Sequence, residues 1–453
     1  MRKILLYFFL LVSLTTNANA PLDSLNYKSL KDFFQKGKIS GNTRLFFMAT
    51  DNSHNLKDYY GLGFGSGIAY QTPNYQGFQA GMSGFFILDL KSSNFSELDP
   101  STNNPSRYEL GLFDLENLNN RHNMARVEQL YLKYTHKKTS ILWGQFLPKF
   151  SFINGQDGRM SPTFTRGLLF ETKSIKNITL QLAWLTAFAP RSTIKWYSVA
   201  ESMGIYPMGV NENGTKSNYK GNTTSKGVGI FNISHKPIKS LTLKFEDYFV
   251  ENVFNTALIQ TEFNHNGWFA GVMGVAQQPI NNGGNADQTK TYFGKSSKSY
   301  VFSSRIGKKF GNWQTNLSYT RITKEGRFLM PREWGREPFY TFTARERNEG
   351  AGNVNAVTLG VSNLLLKNLS INVIYGKFYL PDVKTVKLNK YGLPSYDQLN
   401  IELNYKFKNA LDGLSTQILY VRKNSIGNTY QSDKYIFNKV DLNLFNWIVN
   451  FNF

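Results

Sequence analysis

From Phe445 to Phe453 the chain alternates without a slip: Phe445, Trp447, Val449, Phe451 and Phe453 fall on one side, Asn446, Ile448, Asn450 and Asn452 on the other. Successive side chains of a strand point to opposite faces, so this stretch predicts a strand with one aromatic, apolar face and one largely amide-lined face. A soluble sheet rarely carries such a face up to a final Phe. A strand set between lipid and a watery lumen requires it, and an aromatic ending fits the last strand of a bacterial outer-membrane barrel.

The same period of two recurs along the chain. In Gln398 to Phe407 the residues Leu399, Ile401, Leu403, Tyr405 and Phe407 share one face, and Gln398, Asn400, Glu402, Asn404 and Lys406 the other. A Lys or Arg on the lipid face at mid-bilayer costs roughly 2 to 4 kcal/mol, so this sorting of charge reads as lipid-facing against lumen-facing. Similar stretches span 178–186, 313–323 and 369–379, with Arg321 and Lys377 breaking the rule only near strand ends. The pattern predicts an all-β transmembrane antiparallel barrel of about 18 strands over 39–453, with short turns such as 137–139 and 264–266 alternating with long loops such as 91–125, 189–224 and 324–352. Neither a large soluble β-protein nor a β-solenoid predicts the sorted charge and the terminal aromatic together.

Arg2 and Lys3 followed by an apolar run to Leu14 and then Asn17, Ala18, Asn19 and Ala20 form the three-part layout of a secretory signal over 1–20, cleaved after Ala18 or Ala20. A short periplasmic lead-in, 21–38, follows. The formal net charge is +21, and residues 1–20 hold two bases and no acid, which leaves about +19 on the exported part. There is no cysteine, which excludes thiolate chemistry and disulfides. The basic balance does not imply nucleic acid in an exported chain; Lys290, Lys295 and Lys298, in or beside outer loops, suit a solvated surface or anionic lipopolysaccharide. Five histidines, at 54, 122, 136, 235 and 265, have no serine motif or metal-ligand spacing nearby, so no catalytic residue, metal or cofactor is expected. A gated receptor needs a plug before its barrel, for which the lead-in is too short.

Four segments carry a resemblance: SLKDFFQKGKISGNTRLFF, Gly67 to Phe86, LKYTHKKTSILWGQFLPKFSFINGQDGRMSPTFTRGLLFET from Leu132 to Thr172, and FLMPREWGREPFYTF from Phe328 to Phe342. Together they resemble the OprD family of outer-membrane porins, the carboxylate channels, with the block holding Gly144, Pro148, Arg159, Pro162 and Gly167 the most specific piece. The resemblance implies an 18-stranded barrel, an inward-folded third outer loop, and a row of basic lumen residues passing small, usually carboxylate-bearing solutes.

The residues themselves fit that. A channel this wide needs something inside it to be selective, and the loop at about 148–165 mixes bulk and charge in Lys149, Phe150, Phe152, Asp157, Arg159 and Phe164. Alternation turns Arg44, Arg305, Lys244 and Lys133 into the lumen. The resemblance adds Arg159 to the constriction and places Arg166 beside its exit. The alternative for each is a wall residue paired with Glu171, Glu246, Glu262 or Glu402. Arg332, Glu333 and Arg336 form a charged loop that either gates the mouth or pairs locally to fix the loop. On 413–424, lumen phase falls on Ser415, Gln417, Leu419, Val421 and Lys423, while the opposite phase brings Arg422 inward. The glycines at 61, 63, 65 and 67 alternate on one face and predict a bend or the close approach of a loop. The partners expected are small solutes, outer-membrane lipid with lipopolysaccharide, and the barrel-assembly machinery, with the chain a monomer or weak homotrimer. A closed, adhesin-like barrel is the competing reading.

Overall fold

In lipid nothing bonds the free N–H and C=O groups of a sheet edge, so a spanning sheet must close on itself. The computed structural model describes Tyr27, residues 29–156 and residues 158–453, and among these the sheet does close. Eighteen strands make the wall: β1 (Lys38–Asp51), β2 (Tyr59–Gln71), β3 (Phe78–Ser92), β4 (Met124–His136), β5 (Thr139–Phe146), β6 (Phe164–Thr172), β7 (Ile178–Ala189), β8 (Val228–Ile238), β9 (Leu241–Val250), β10 (Phe254–His265), β11 (Trp268–Pro279), β12 (Ser299–Phe310), β13 (Trp313–Ile322), β14 (Val354–Leu366), β15 (Leu369–Tyr379), β16 (Tyr396–Lys406), β17 (Leu414–Ser425) and β18 (Leu442–Asn452). Each pairs antiparallel with the next. Strand β18 returns to β1, with Asn452 opposite Asn42 and Asn443 opposite Asp51. A two-residue strand, Tyr197–Ser198, adds to the end of β7.

The signal segment 1–20, and residues 21–26 and 28 of the lead-in, lie outside the described residues. The rest of the lead-in forms α1 (Leu30–Gln35), capped by Ser29, whose hydroxyl accepts the Asp32 N–H at 3.1 Å. The Tyr70 hydroxyl on β2 donates to the Phe34 carbonyl at 2.7 Å and ties α1 to the short-turn end. That end is periplasmic. The β10–β11 turn there is Asn266-Gly267, both with positive φ (48° and 81°), the twist a two-residue hairpin demands.

Alternation sets the two faces as the sequence predicts. Phe445, Trp447 and Phe451 are exposed to lipid, whereas Asn446 is fully buried in the lumen. On β17 Leu419 and Val421 are buried inside and Arg422 points out, so the predicted phase holds and its opposite does not. The lumen is filled at its outer half by inward-folded loops. Their apolar residues meet the wall in two clusters, one around Phe152, Trp334, Phe188 and Tyr248, the other around Phe46, Met48, Leu112, Phe113 and Met160.

Candidate functional site

A loop crossing a wide bore must find partners for its own N–H and C=O groups. The β5–β6 loop (147–163) finds them on β9 and on the β13–β14 loop (323–353). Ser151 N–H donates to the Glu246 carboxylate at 3.1 Å and Phe152 N–H to the Tyr248 hydroxyl at 3.1 Å. Asn154 N–H donates to the Trp334 carbonyl at 3.1 Å, and the Asn154 amide donates to the Arg336 carbonyl at 3.0 Å. The Phe152 ring packs against Tyr248, Phe328 and Phe339, and the Trp334 indole stacks on Phe188 at 4.7 Å while donating to Ser202 at 2.8 Å. The loop then leaves this cluster at Ile153 and enters the other at Met160. The glycine stripe of β2 makes room there: a Cβ at Gly63 would lie 3.0 Å from the Met160 sulfur and 3.4 Å from Phe113. The alternating glycines thus mark the close approach of two loops.

Arginines gather where the loop passes between the clusters. Arg44, on the lumen face of β1, is held by Asn450 of β18 at 2.7 Å and donates to the Arg159 carbonyl at 2.6 Å. Arg345 donates to the Gly158 carbonyl at 3.1 Å and to Asn446. A Cβ on Gly158 would sit 3.4 Å from the Arg345 guanidinium and 3.6 Å from that of Arg191. The Arg191 Nε donates to the Tyr206 hydroxyl at 3.2 Å. Arg347 donates to Gln156 and, at 3.2 Å, to the Arg332 carbonyl. Arg159 is buried, its guanidinium turned back onto its own Gly158 carbonyl at 2.6 Å. Burial, then the charges of Arg345 and Arg191, push the Arg159 guanidinium well below its ordinary range. Burial followed by Arg191 and Arg332 brings Arg347 down to about 9. Several like charges are therefore held closer than they would settle alone.

Other predicted residues divide. Lys244 and Arg305 face the lumen as alternation requires, but each is paired, Lys244 with Glu246 at 2.6 Å and Arg305 with Glu262 at 2.8 Å; Arg305 also lies over the Tyr340 ring. They are wall ion pairs. Lys133 faces the lumen opposite Gln79 of β3, and Lys149 is exposed within the loop. Arg166 departs from expectation. It shares the outward face of β6 with lipid-exposed Leu168, is exposed, and lies over the Trp196 ring at 5.6 Å. Asp157 lies outside the described residues.

The charged mouth motif is a fastening. Arg332 pairs with Glu349 at 2.6 Å and covers the Tyr391 ring at 4.0 Å. Glu333 accepts the N–H groups of Gly204 and Tyr206 at 3.0 and 2.9 Å, and Glu337 those of Asn348 and Glu349 at 2.8 and 3.1 Å. Arg336 is exposed, its guanidinium over Phe342. The partners are not those expected from pairing between the Arg-Glu neighbours or with Arg345, Glu346 and Arg347: Arg332 takes Glu349, Glu333 and Glu337 take backbone N–H groups, and Glu346 turns away from the motif to Arg107 and Lys423, at 3.0 and 2.8 Å. Although burial alone would raise it, Arg107 and then Lys423 hold the Glu346 carboxyl well below the usual carboxylate range.

Arg191 and Arg345 are the residues the sequence reading passed over as pore groups. In the run Arg345-Glu346-Arg347 the side chains diverge, Glu346 to the wall and the two arginines to the loop at 154–159. That charge pattern was the one available signal. Arg126, buried on β4, was missed as well: it donates to the Pro190, Thr193 and Pro162 carbonyls at 2.9, 3.0 and 2.9 Å and pins two loops to the wall.

A family model described as outer membrane porin, OprD family, matches residues 31–345. Among solved structures, the Pseudomonas aeruginosa protein OccK9 (OpdG) aligns with a TM-score of 0.73 at 13% identity, over 93% of this chain and 99% of its own. Acinetobacter baumannii OccAB2 gives 0.71 at 12% identity over 93% and 98%, and P. aeruginosa OccK8 (OprE) 0.69 at 15% over 93% and 99%. No curated protein sequence matches the chain. A closed 18-stranded barrel with its third outer loop folded into the lumen, matched over most of its length by that family model, is a bacterial outer-membrane channel for small solutes, and the chain belongs to the OprD family of porins.

Proposed function

We propose that this porin conducts small anionic solutes, carboxylates above all, by passive diffusion, and that the arginines around Gly158 and Arg159 form its filter. The observation that carries the reading is the convergence of Arg44, Arg191 and Arg345 on the Gly158–Arg159 segment. An anion entering there relieves the repulsion among the guanidinium groups and exchanges part of its hydration shell for their N–H donors. Two carboxylate oxygens match one planar guanidinium. Arg159 acts as a positioning residue, its carbonyl fixing Arg44 and its buried charge adding to the field. Lys133 and Lys149 extend the basic path, whereas Lys244 and Arg305 add little net charge because Glu246 and Glu262 offset them. Arg332, Glu333 and Arg336 hold the loop rather than gate it. No cofactor or ATP is needed. The channel works as a monomer or weak homotrimer, set by the barrel-assembly machinery into outer-membrane lipid and lipopolysaccharide.

Proteoliposome swelling with gluconate against glucose, which differ little in size, tests the preference. Gluconate is expected to enter several-fold faster. Equal rates sink the carboxylate preference, and entry of neither supports the closed barrel.

A further inference from the structure

A second basic population sits at the other end of the molecule, and the pore does not use it. All the short turns except 72–77 and 266–267 carry exposed lysine, in them or at the strand ends beside them, for example Lys137, Lys173, Lys236, Lys308, Lys367 and Lys406. The acids at that end, among the described residues, are Asp32, Glu171 and Asp412, the first two paired with Lys36 and Lys173. Exposed aromatics interleave with the lysines on the outer wall: Tyr134, Phe263, Trp268, Phe310 and Trp313. This is the level of the inner-leaflet headgroups, where aromatic girdles lie. Lys308 is directed outward there, over the Trp268 ring at 4.7 Å.

Above this rim the outer wall of β8–β11 holds an open groove of about 310 Å³. Its walls are Ile233, Leu243, Phe245, Ile259 and Val272, all on the lipid face, with His235 at its edge. Small residues hollow it: Thr261 stands between Leu243 and Val272 in register, and Gly274 lies opposite Ile259 with no side chain of its own. Along β11, Val272 is four residues from Trp268, roughly 13 Å at 3.3 Å per residue. That spacing sets an acyl chain in the groove and its headgroup among Lys236, Lys239 and Lys308.

We propose that this wall is a binding site for one anionic glycerophospholipid of the inner leaflet. The groove takes the upper part of an acyl chain. The lysines, exposed at the headgroup level, take the phosphate, because a basic residue near an anionic lipid surface is drawn to it. Charge is what selects the occupant, since a zwitterionic lipid fits the groove but gains little from the lysines.

The test is native mass spectrometry of the full chain in detergent, titrated separately with phosphatidylglycerol, phosphatidylethanolamine and lipid A. Phosphatidylglycerol is expected to be retained about tenfold more than phosphatidylethanolamine. K236Q/K239Q/K308Q should bring it down to the phosphatidylethanolamine level, and Gly274→Leu, whose Cβ would lie 3.3 Å from Ile259 Cγ1, should lower retention several-fold with the charge untouched. Lys406→Gln with Lys408→Gln, elsewhere on the rim, should change retention less than twofold. Equal retention of the two phospholipids, preference for lipid A, or an equal loss in the Lys406/Lys408 variant overturns the proposal.

Discussion

The neck and the periplasmic rim are both basic, yet they are built from different residues in different ways. At the neck the cations are arginines, half or wholly buried, each tied to a carbonyl, an amide or a hydroxyl: Arg44 to Arg159 and Asn450, Arg345 to Gly158 and Asn446, Arg191 to Tyr206. At the rim they are lysines, exposed on turns and strand ends. A guanidinium has several donors in a fixed plane, so it can satisfy the loop with some and still offer its charge to a solute; an ammonium on a flexible stem serves as a mobile point charge. On the proposed reading, placement by hydrogen bonds serves selectivity, and placement by exposure serves the membrane surface.

The comparison breaks most severely at Arg126. Its replacement by alanine removes the donor that joins the Pro162, Pro190 and Thr193 carbonyls to β4 and leaves Glu128 buried beside an empty space. Loss of one partner of a buried pair costs about 3 to 5 kcal/mol. Urea unfolding in lipid vesicles should show a loss of that order, and single-channel conductance should rise or become noisy as the loops detach. A variant as stable and as quiet as the parent contradicts the pinning role.

Next in size is a pH effect seated in the loop that carries Arg345. Burial lifts the Glu337 carboxyl from 4.5 to about 7, against the Asn348 N–H that lowers it. An acid whose folded pKa is raised contributes stability that is complete below its unfolded value, near 4.5, and is lost as pH rises through about 7. Thermal melting between pH 5 and 8 should therefore fall as pH rises, by the equivalent of on the order of 2 kcal/mol, and Glu337→Gln should flatten the curve. An unchanged slope in the variant removes Glu337 from the account.

The smallest effect is expected at the rim. Solvent screens charge beyond about 8 Å at physiological ionic strength, so K236Q/K239Q/K308Q should leave anion-to-cation permeability within about twofold of the parent. A larger change joins the two basic regions into one functional unit.

The wall was legible because one rule governs it. Alternation placed Arg44, Lys133, Lys244 and Arg305 in the lumen; on β17 it left both phases open, and only the structure turns Arg422 out. Arg166 shows the rule neglected: counting back from lipid-facing Leu168 turns it outward, but nearness to the loop and family likeness drew it into the pore. Alternation also cannot say whether a lumen base is paired, because Glu262 on β10 reaches Arg305 on β12 across the intervening β11. The loops obey no period. Arg191 and Arg345 reach Gly158 only through the packing of separate loops, and Arg345 does so from a backbone with φ of 80°, which no local pattern announces.

The central claim, that bonded arginines at Gly158–Arg159 select anions, is tested most directly by the reversal potential of single channels in a KCl gradient across a planar bilayer. The parent is expected to show anion selectivity, and R44Q/R345Q, which keeps amide donors but removes two charges, should move the potential most of the way to zero. A parent that is cation-selective, or a double variant with the parent's potential, contradicts the claim.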